Sequence, residues 1–529
     1  MERLLQQWRS LTKQGIKIIG LSCLNVDRSF VFRSFWQQAQ LFQTSCYYYN
    51  KGYKHIQQLY CEESFYRFVP TGQAFDPASR EQFSSGLYLI DDFANFKDLD
   101  PVEQGYREAV LQNLLDLISL QDHVFIILLS SYFSFSQRIS AEIPILELSL
   151  PDVSQVKSLV MSYLAPRRMG LADEINQQRL VNICCGLPRG EIQLALNTNG
   201  ALAQDFPDLI HLMLSYKLRS LRQLGLEFIS DPDVMEAGGL DLLQEFLTNR
   251  VAKLNEPGAV RYGLRPPKGM ILLGPPGTGK SLSAKLAAKA LGYPLLGLSW
   301  GNVLGSDNPD YTLARILEVA DTLDRCVLLA DDFDKGFTGW ESGGASRRLS
   351  QRLLTWMQER TSHVFMIATV NRIQLLPSEI KRRFDDGGIW FVDLPHLGAL
   401  YHVFQLHLRK YFSTQFQHGD PWNEDVWYKI LQGYKGCTPV EIANAVMRCA
   451  AQFYCELGKE ERSSASIEPV ITPEQLLDQL TQFQKASIRD EADLQAIRNT
   501  AYYARPASSS DHSIFAAPNS ELFDYACVK

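Results

Sequence analysis

The chain has 529 residues, 46% hydrophobic and 21% charged, with a formal net charge of −7 and a sequence pI near 5.8. That is ordinary globular composition, with material for about three or four domains. The acidic balance and the lack of a long Lys/Arg run argue against broad nucleic-acid binding and leave only a local basic groove open. Ten cysteines are scattered without a C-x-x-C pair or a His cluster, which argues against zinc and against a disulfide framework. Cys184 and Cys185 read as packing residues in a reducing compartment. The first residues, MERLLQQWRSLTKQG, lack the apolar stretch of a signal peptide, and the strongest apolar run, Val124–Leu129, is too short for a bilayer. No membrane contact is expected.

In chain order, Ile16–Leu21 and Cys46–Tyr49 read as buried strands. Gly86–Phe93, GLYLIDDF, is an apolar run ending in two aspartates and a phenylalanine. Ala109–Leu120 has helical spacing, His123–Ser130 is strand-like, and Ile143–Leu150 is a further strand closed by Pro151. Alternating strands and helices predict a mostly parallel sheet.

This half recurs downstream. HVFIIL at His123 matches HVFMIA at His363, and Asp91-Asp92-Phe93 matches Asp331-Asp332-Phe333, both 240 residues apart. GLPRGEIQLAL at Gly186 resembles GCTPVEIANAV at Gly436, 250 residues on. The order and spacing predict two tandem copies of one α/β unit with a helical lid. The first copy reads LSCLNVDRS after its first strand, with neither glycine nor lysine. It is expected not to cradle a triphosphate, to keep Asp91 and Asp92 as structure, and to serve assembly or partner binding.

The second copy opens with a polar link, Asp231–Gly239, and an amphipathic helix, Leu240–Leu254. A short apolar run, Met270–Leu273, then meets GPPGTGKS, followed by a helical run Leu282–Leu291. Strand, glycine loop and helix in this order fit the P-loop pattern G-x-x-x-x-G-K-S. Gly274, Pro275, Pro276, Gly277, Thr278, Gly279, Lys280, Ser281 and Leu282 are the expected nucleotide-binding stretch. Its glycines let backbone N–H groups turn towards phosphate, and the helix N-terminus faces the same anion. Lys280 is placed for the β- and γ-phosphates of ATP and Ser281 for Mg²⁺.

Pro294–Ser299 is the next strand and Asp310–Leu323 a helix. CVLLADDFD, Cys326–Asp334, delivers acidic residues at a strand's C-terminal end, where ligands bind in open α/β sheets. Asp331, 51 residues after Lys280, is placed to hold Mg²⁺, and Asp332 to orient the attacking water. The strand Val364–Thr369 leads to Asn371, whose amide fits the water or the γ-phosphate; a turn asparagine is the plainer alternative. Arg382 and Arg383, in KRRFD, are candidate fingers for a neighbouring subunit's γ-phosphate, against the plainer reading of a solvated basic turn. Phe337–Ser346, FTGWESGGAS, is a glycine-rich loop carrying Trp340.

GPPGTGKS, LLADDFD, ATVN and RRFD in this order resemble an AAA-type ATPase, and Gly238-Gly239-Leu240 resembles the segment that flanks adenine there. LTWMQERTSHVFMIATVNR, FVDLP and ITPEQLLDQL narrow the resemblance to a cyanobacterial and plastid-encoded tandem AAA family, known as a hypothetical chloroplast reading frame, over residues 86–505. The resemblance implies ATP binding and hydrolysis in a homo-oligomer, commonly a hexamer, in a cyanobacterial cytoplasm or plastid stroma. It also carries a suggested link to photosynthetic carbon utilisation.

Four departures stand out against that family. Asp332 occupies the place of a glutamate, one methylene shorter. A misplacement of about 1 Å is worth on the order of 10²-fold in rate, which implies slow hydrolysis or a repositioned Asp332. RRFD is shorter than R-x-G-R-F-D, which leaves open which arginine is the finger. Gly301–Asp310 lacks the aromatic tip of peptide-threading motors. The lid segment GCTPVEIANAV has no second-sensor arginine.

Leu397–Tyr411, Asp425–Leu431 and Pro439–Leu457 read as lid helices, and Glu460–Ser466 as a charged loop. Pro473–Phe483 is a helix with Thr472 as N-cap and Gln475 three residues on. Asp490–Tyr503 is one more helix, and Ala507–Lys529 reads as disordered. The expected fold class is α/β, with tandem P-loop NTPase-like (AAA) units of parallel sheet, each followed by a helical lid, the N-terminal one degenerate. The expected divisions are 1–230 (degenerate unit without a P-loop), 231–395 (ATPase α/β domain), 396–485 (helical lid) and 486–529 (a largely disordered extension). The functional expectation is an ATP-driven remodeller or regulator of a protein partner. An ATP-gated scaffold with little hydrolysis is the alternative, and a nucleic-acid motor is disfavoured by charge.

Overall fold

The computed structural model describes residues 1–516 except 63–64, 76–82, 92, 94–98, 120, 122, 134, 136, 168–173, 230–237, 338–344, 418 and 458–467. Asp92, the loop around Trp340, the segment Glu460–Ser466 and most of the link Asp231–Gly239 therefore lie outside the described residues. The chain forms two compact units, Met1–Lys217 and Leu218–Lys529.

The first unit holds strands β1 (Ile18–Ser22), β2 (Ser45–Tyr49), β3 (His55–Cys61), β4 (Tyr66–Ala74), β5 (Gly86–Asp91), β6 (Val124–Ser130) and β7 (Ile145–Glu147). Their spatial order is β4-β3-β2-β5-β6-β1-β7. The run from β2 to β7 is parallel, and β3 and β4 extend it antiparallel. Side chains alternate between faces along each strand. Leu87, Leu89, Ile127 and Leu129 pack with Phe32 and Phe35 of the helix Arg28–Leu41 on one face. Tyr88, Ile90, Ile126 and Leu128 pack with Leu111, Leu114 and Ile118 of the helix Pro101–Ser119 on the other. Burial on both faces makes these strands continuous apolar runs. Each such side chain contributes about 1.5–3 kcal/mol.

The second unit holds β8 (Leu226–Ile229), β9 (Gly269–Leu273), β10 (Leu295–Ser299), β11 (Val327–Asp331), β12 (Phe365–Val370), β13 (Ile389–Phe391) and β14 (Arg505–Pro506). The order is β14-β13-β9-β12-β11-β10-β8, parallel except for β8. The helices Leu397–Tyr411, Glu424–Tyr434, Pro439–Glu456 and Pro473–Gln479 enclose a separate core around Phe404, Trp427 and Tyr434. Thr472 and Gln475 form the expected capping box.

Several expectations need correction. The amphipathic stretch Leu240–Leu254 is helical through Leu254, but after Asp241–Phe246 it widens into a π-helix over Leu247–Ala252. A boundary at 230 cuts off β8, which pairs with β10 and so belongs to the second sheet. The hairpin of β3 and β4 was not expected, since β4 is mostly exposed and carries Pro70 and Gly72. The extension from 486 is not largely disordered through residue 516. The helix Glu491–Thr500 forms there, β14 pairs with β13, Ala507 is buried in the sheet core, and Phe515 is buried in the lid core. Its Ser- and Ala-rich sequence hides this because backbone groups make most of the attachments. Ala507 N–H donates to Phe391 O (2.9 Å), and Leu243 N–H donates to Ala507 O (3.2 Å).

Candidate functional site

β9 is buried at every residue and ends in the P-loop. Two glycines there have steric reasons. A Cβ on Gly274 would come within 2.2 Å of Val392 O, and Gly279, the N-cap of the helix Lys280–Leu291, has φ +98°. Gly274, Pro275 and Thr278 are buried, whereas Pro276, Gly277, Ser281 and Leu282 are exposed. The Thr278 hydroxyl donates to Pro275 O at 2.9 Å and pins the loop.

Lys280 is buried, and its Nζ donates to Gly274 O (2.7 Å), Pro275 O (2.7 Å) and Asn371 Oδ1 (2.9 Å). Burial lowers its pKa to about 8, against the pull of Asp331, Asp332 and Asp334. A buried ammonium whose hydrogen-bond partners are neutral oxygens, beside an open glycine loop, fits an incoming polyphosphate.

β11 and β12 place the other groups. Ser281 Oγ lies 3.2 Å from both carboxylate oxygens of Asp331. A hydroxyl and a carboxylate are the hard oxygen ligands Mg²⁺ takes when phosphates complete its shell. Asp332 has φ +49°, accepts from Lys335 Nζ (2.6 Å) through Oδ2, and lies 3.4 Å from Asn371 Nδ2 through Oδ1. Lys280, Ser281, Asp331, Asp332 and Asn371 are thus brought together. Arg382 and Arg383 are not in that cluster. Arg382 is exposed. Arg383 Nη2 donates to Gln358 Oε1 at 2.8 Å, and the backbone oxygen of Gln358 accepts from Lys268 Nζ. Lys268 precedes β9, so Arg383 is engaged at the end of the sheet away from its own P-loop.

Three residues were missed in the sequence. Thr369 bonds both acidic residues. Asp334 is buried, accepts from Arg372 N–H at 3.1 Å and so fixes the turn after Asn371; burial pushes its carboxyl up. Thr438 caps the lid helix Pro439–Glu456 and lies against Gly277, where a Cβ would sit 3.4 Å from its Oγ1. The third acid of DDFD and the T of ATVN were visible signals. Thr438 was legible as an N-cap, with Glu441 three residues on, but not as a neighbour of Gly277, because the lid meets the P-loop only after folding.

The first unit arranges the corresponding places differently. Arg28 opens the helix after β1 as Lys280 opens the one after β9. Arg28 Nη1 pairs with Asp91 Oδ1, and Tyr48 OH donates to Asp91 Oδ2 at 3.0 Å. Asp27 Oδ1 accepts from Gly190 N–H (2.6 Å) in the first turn of the helix Arg189–Leu202.

Residues 270–387 match the model of the AAA family, the ATPase family associated with various cellular activities. The AAA domain-containing protein ycf46 of Trieres chinensis is 29% identical over 378 residues, 70% of this chain and 73% of the relative. That of Pyropia yezoensis is 29% identical over 351 residues, 64% and 68% of the two chains. The ATP-dependent zinc metalloprotease FtsH of Rubrobacter xylanophilus is 29% identical over 252 residues, 44% and 36%. Among solved structures, the FIGL-1 AAA domain aligns at TM-score 0.44 and 17% identity, covering 54% of this chain and 95% of that one. Among the described residues, no helix is long and apolar enough to cross a membrane.

Proposed function

With an AAA domain and a resemblance to the plastid-encoded ycf46 proteins as premise, we propose that the chain binds and hydrolyses ATP with Mg²⁺ to remodel or regulate a protein partner. It does so as a homo-oligomer, a hexamer by analogy with the family, in a plastid stroma or cyanobacterial cytoplasm. On the resemblance alone, the reading extends to a partner in photosynthetic carbon utilisation. The observation that carries the ATPase reading is the buried Lys280 beside the Ser281–Asp331 pair. ATP supplies the γ-phosphoryl group, and Mg²⁺, held there, would supply charge neutralisation at it. Lys280 and the backbone N–H groups of Gly277–Gly279 hold phosphate, and Ser281 and Asp331 hold the metal. Asp332 orients and deprotonates water, and Asn371 senses the γ-phosphate. Arg382, the exposed member of its pair, acts in a neighbouring subunit, while Arg383 braces Gln358.

The first unit is a second, degenerate copy that binds no nucleotide. Numbering the five matching parallel strands of each sheet in chain order gives 2-3-4-1-5 in both, which supports the tandem reading. In the first copy Arg28 and Asp91 pair with one another in the lysine and metal positions, and Asp27 presents its carboxylate to the lid helix.

An ATP-gated scaffold is the second reading, favoured by the engagement of Asp332 with Lys335 and Asn371. Steady-state ATPase rate per subunit against protein concentration, beside Lys280→Ala, separates the two. Turnover in the usual enzyme range of about 1–10³ s⁻¹, rising with concentration and lost in the variant, is expected. ATP binding without turnover at every concentration would leave the scaffold.

A further inference from the structure

We propose that Thr369 is a positioning residue that sets both members of the acidic pair, a role that rests on the ATPase reading. Thr369 is 1% exposed at the C-terminal end of β12. A hydroxyl has one proton to give and lone pairs to receive. Thr369 gives its proton to Asp331 Oδ1 at 2.5 Å and receives the backbone N–H of Asp332 at 2.9 Å. One oxygen thereby fixes the side chain placed for the metal and the backbone of the residue placed for water.

The position explains why a side chain is needed. The parallel ladder between β11 and β12 runs to Ala330 opposite Ala368. The chain then leaves the sheet, and Asp332 turns to φ +49°, a conformation that aspartate tolerates better than most residues. The N–H of Asp332 has no ladder partner there, and the hydroxyl on the neighbouring strand supplies one. Fixing that N–H fixes the direction in which the Asp332 carboxylate leaves the backbone. The first unit is an internal comparison. Its Asp91 lies opposite Leu129, which has no hydroxyl, and its carboxylate is held by Arg28 and Tyr48 instead. The hydroxyl occurs in the unit with the P-loop and is replaced by an apolar side chain in the unit without one.

Thr369→Val keeps the shape and removes the hydroxyl, whereas Thr369→Ser keeps the hydroxyl. Three readouts apply to the full chain: amide hydrogen exchange at Asp332 without nucleotide, Mg²⁺ dependence of the binding of a fluorescent ATP analogue, and kcat against KM. In Thr369→Val, Asp332 exchange should speed up about tenfold and half-saturating Mg²⁺ should rise about tenfold. kcat should fall about 10- to 10²-fold with KM for ATP within about twofold. Thr369→Ser should restore all three. Wild-type exchange and Mg²⁺ dependence in Thr369→Val, or a serine variant as impaired as the valine one, overturns the proposal. A wild-type chain that does not bind ATP overturns the ATPase reading by itself, and exchange in the nucleotide-free chain then still shows whether the hydroxyl holds Asp332.

Discussion

Lys280 Nζ donates to Asn371 Oδ1 at 2.9 Å, so one hydrogen bond joins the P-loop to the end of β12. Burial holds the Lys280 pKa at about 8 against an ordinary 10.5. Below pH 8 the folded state carries the whole penalty of a buried charge. Between about 8 and 10.5 the unfolded chain binds more protons than the folded one, so this group adds stability as pH rises. Phosphate restores the charge, and ATP binding at pH 9 should therefore take up close to one proton, and at pH 7 close to none. Calorimetry in two buffers of different ionisation enthalpy reads this directly; zero uptake at pH 9 would contradict a Lys280 pKa lowered to about 8.

The Lys335–Asp332 pair is exposed, with side chains 70% and 46% accessible, and adds at most about 1 kcal/mol to stability. Its effect should be kinetic. Lys335→Ala releases one carboxylate oxygen and should raise turnover several-fold with the melting temperature nearly unchanged. Asp332→Asn accepts the same backbone conformation but cannot take a proton. It should bind ATP normally and lose about 10²- to 10⁴-fold in turnover. Equal turnover in Asp332→Asn and wild type would remove Asp332 from the chemistry.

The two arginines should separate cleanly. Arg382→Ala should fold normally and lose turnover by about 10³-fold or more. Mixing it with Lys280→Ala should restore part of the activity, because each variant supplies what the other lacks across a subunit boundary. Arg383→Ala, which loses the bond to Gln358, should lower stability by about 0.5–1.5 kcal/mol and leave turnover nearly intact. The reverse pattern would exchange their roles.

In the first unit, Arg28→Ala leaves the buried Asp91 without its cation. The expected loss is about 3–5 kcal/mol, seen as early melting of that unit, with ATP affinity of the chain unchanged. A matching fall in ATP affinity would place nucleotide in the first unit and refute its degeneracy.

The central parallel strands were legible because burial on both faces makes them apolar runs, as in VFIILLS and GMILL. The P-loop, the acids after β11 and Asn371 were legible because spacing along the chain fixes them at strand ends. β4 and β14 were not, since their exposed or very short sequences carry no period, and β8 was hidden by its partner β10 lying far along the chain. Arg28 was hidden because no sequence motif marks an arginine at the start of the helix after β1 as an ion-pair partner. Its partner Asp91 is 63 residues away.

The segment that includes Ala507 and Asp511 touches three parts of the second unit at once. Ala507 bonds Phe391 of β13, Ser509 N–H bonds Asp241 ahead of the P-loop, and Gly398 N–H, at the start of the lid, bonds Asp511. The P-loop strand is synthesised more than 200 residues before this segment. The first unit can close while the second is still being made. The nucleotide-binding unit must wait, with the edge of β13 uncovered and the joint between sheet and lid unfastened. A nascent chain of this protein should therefore complete its first unit well before the P-loop unit is closed.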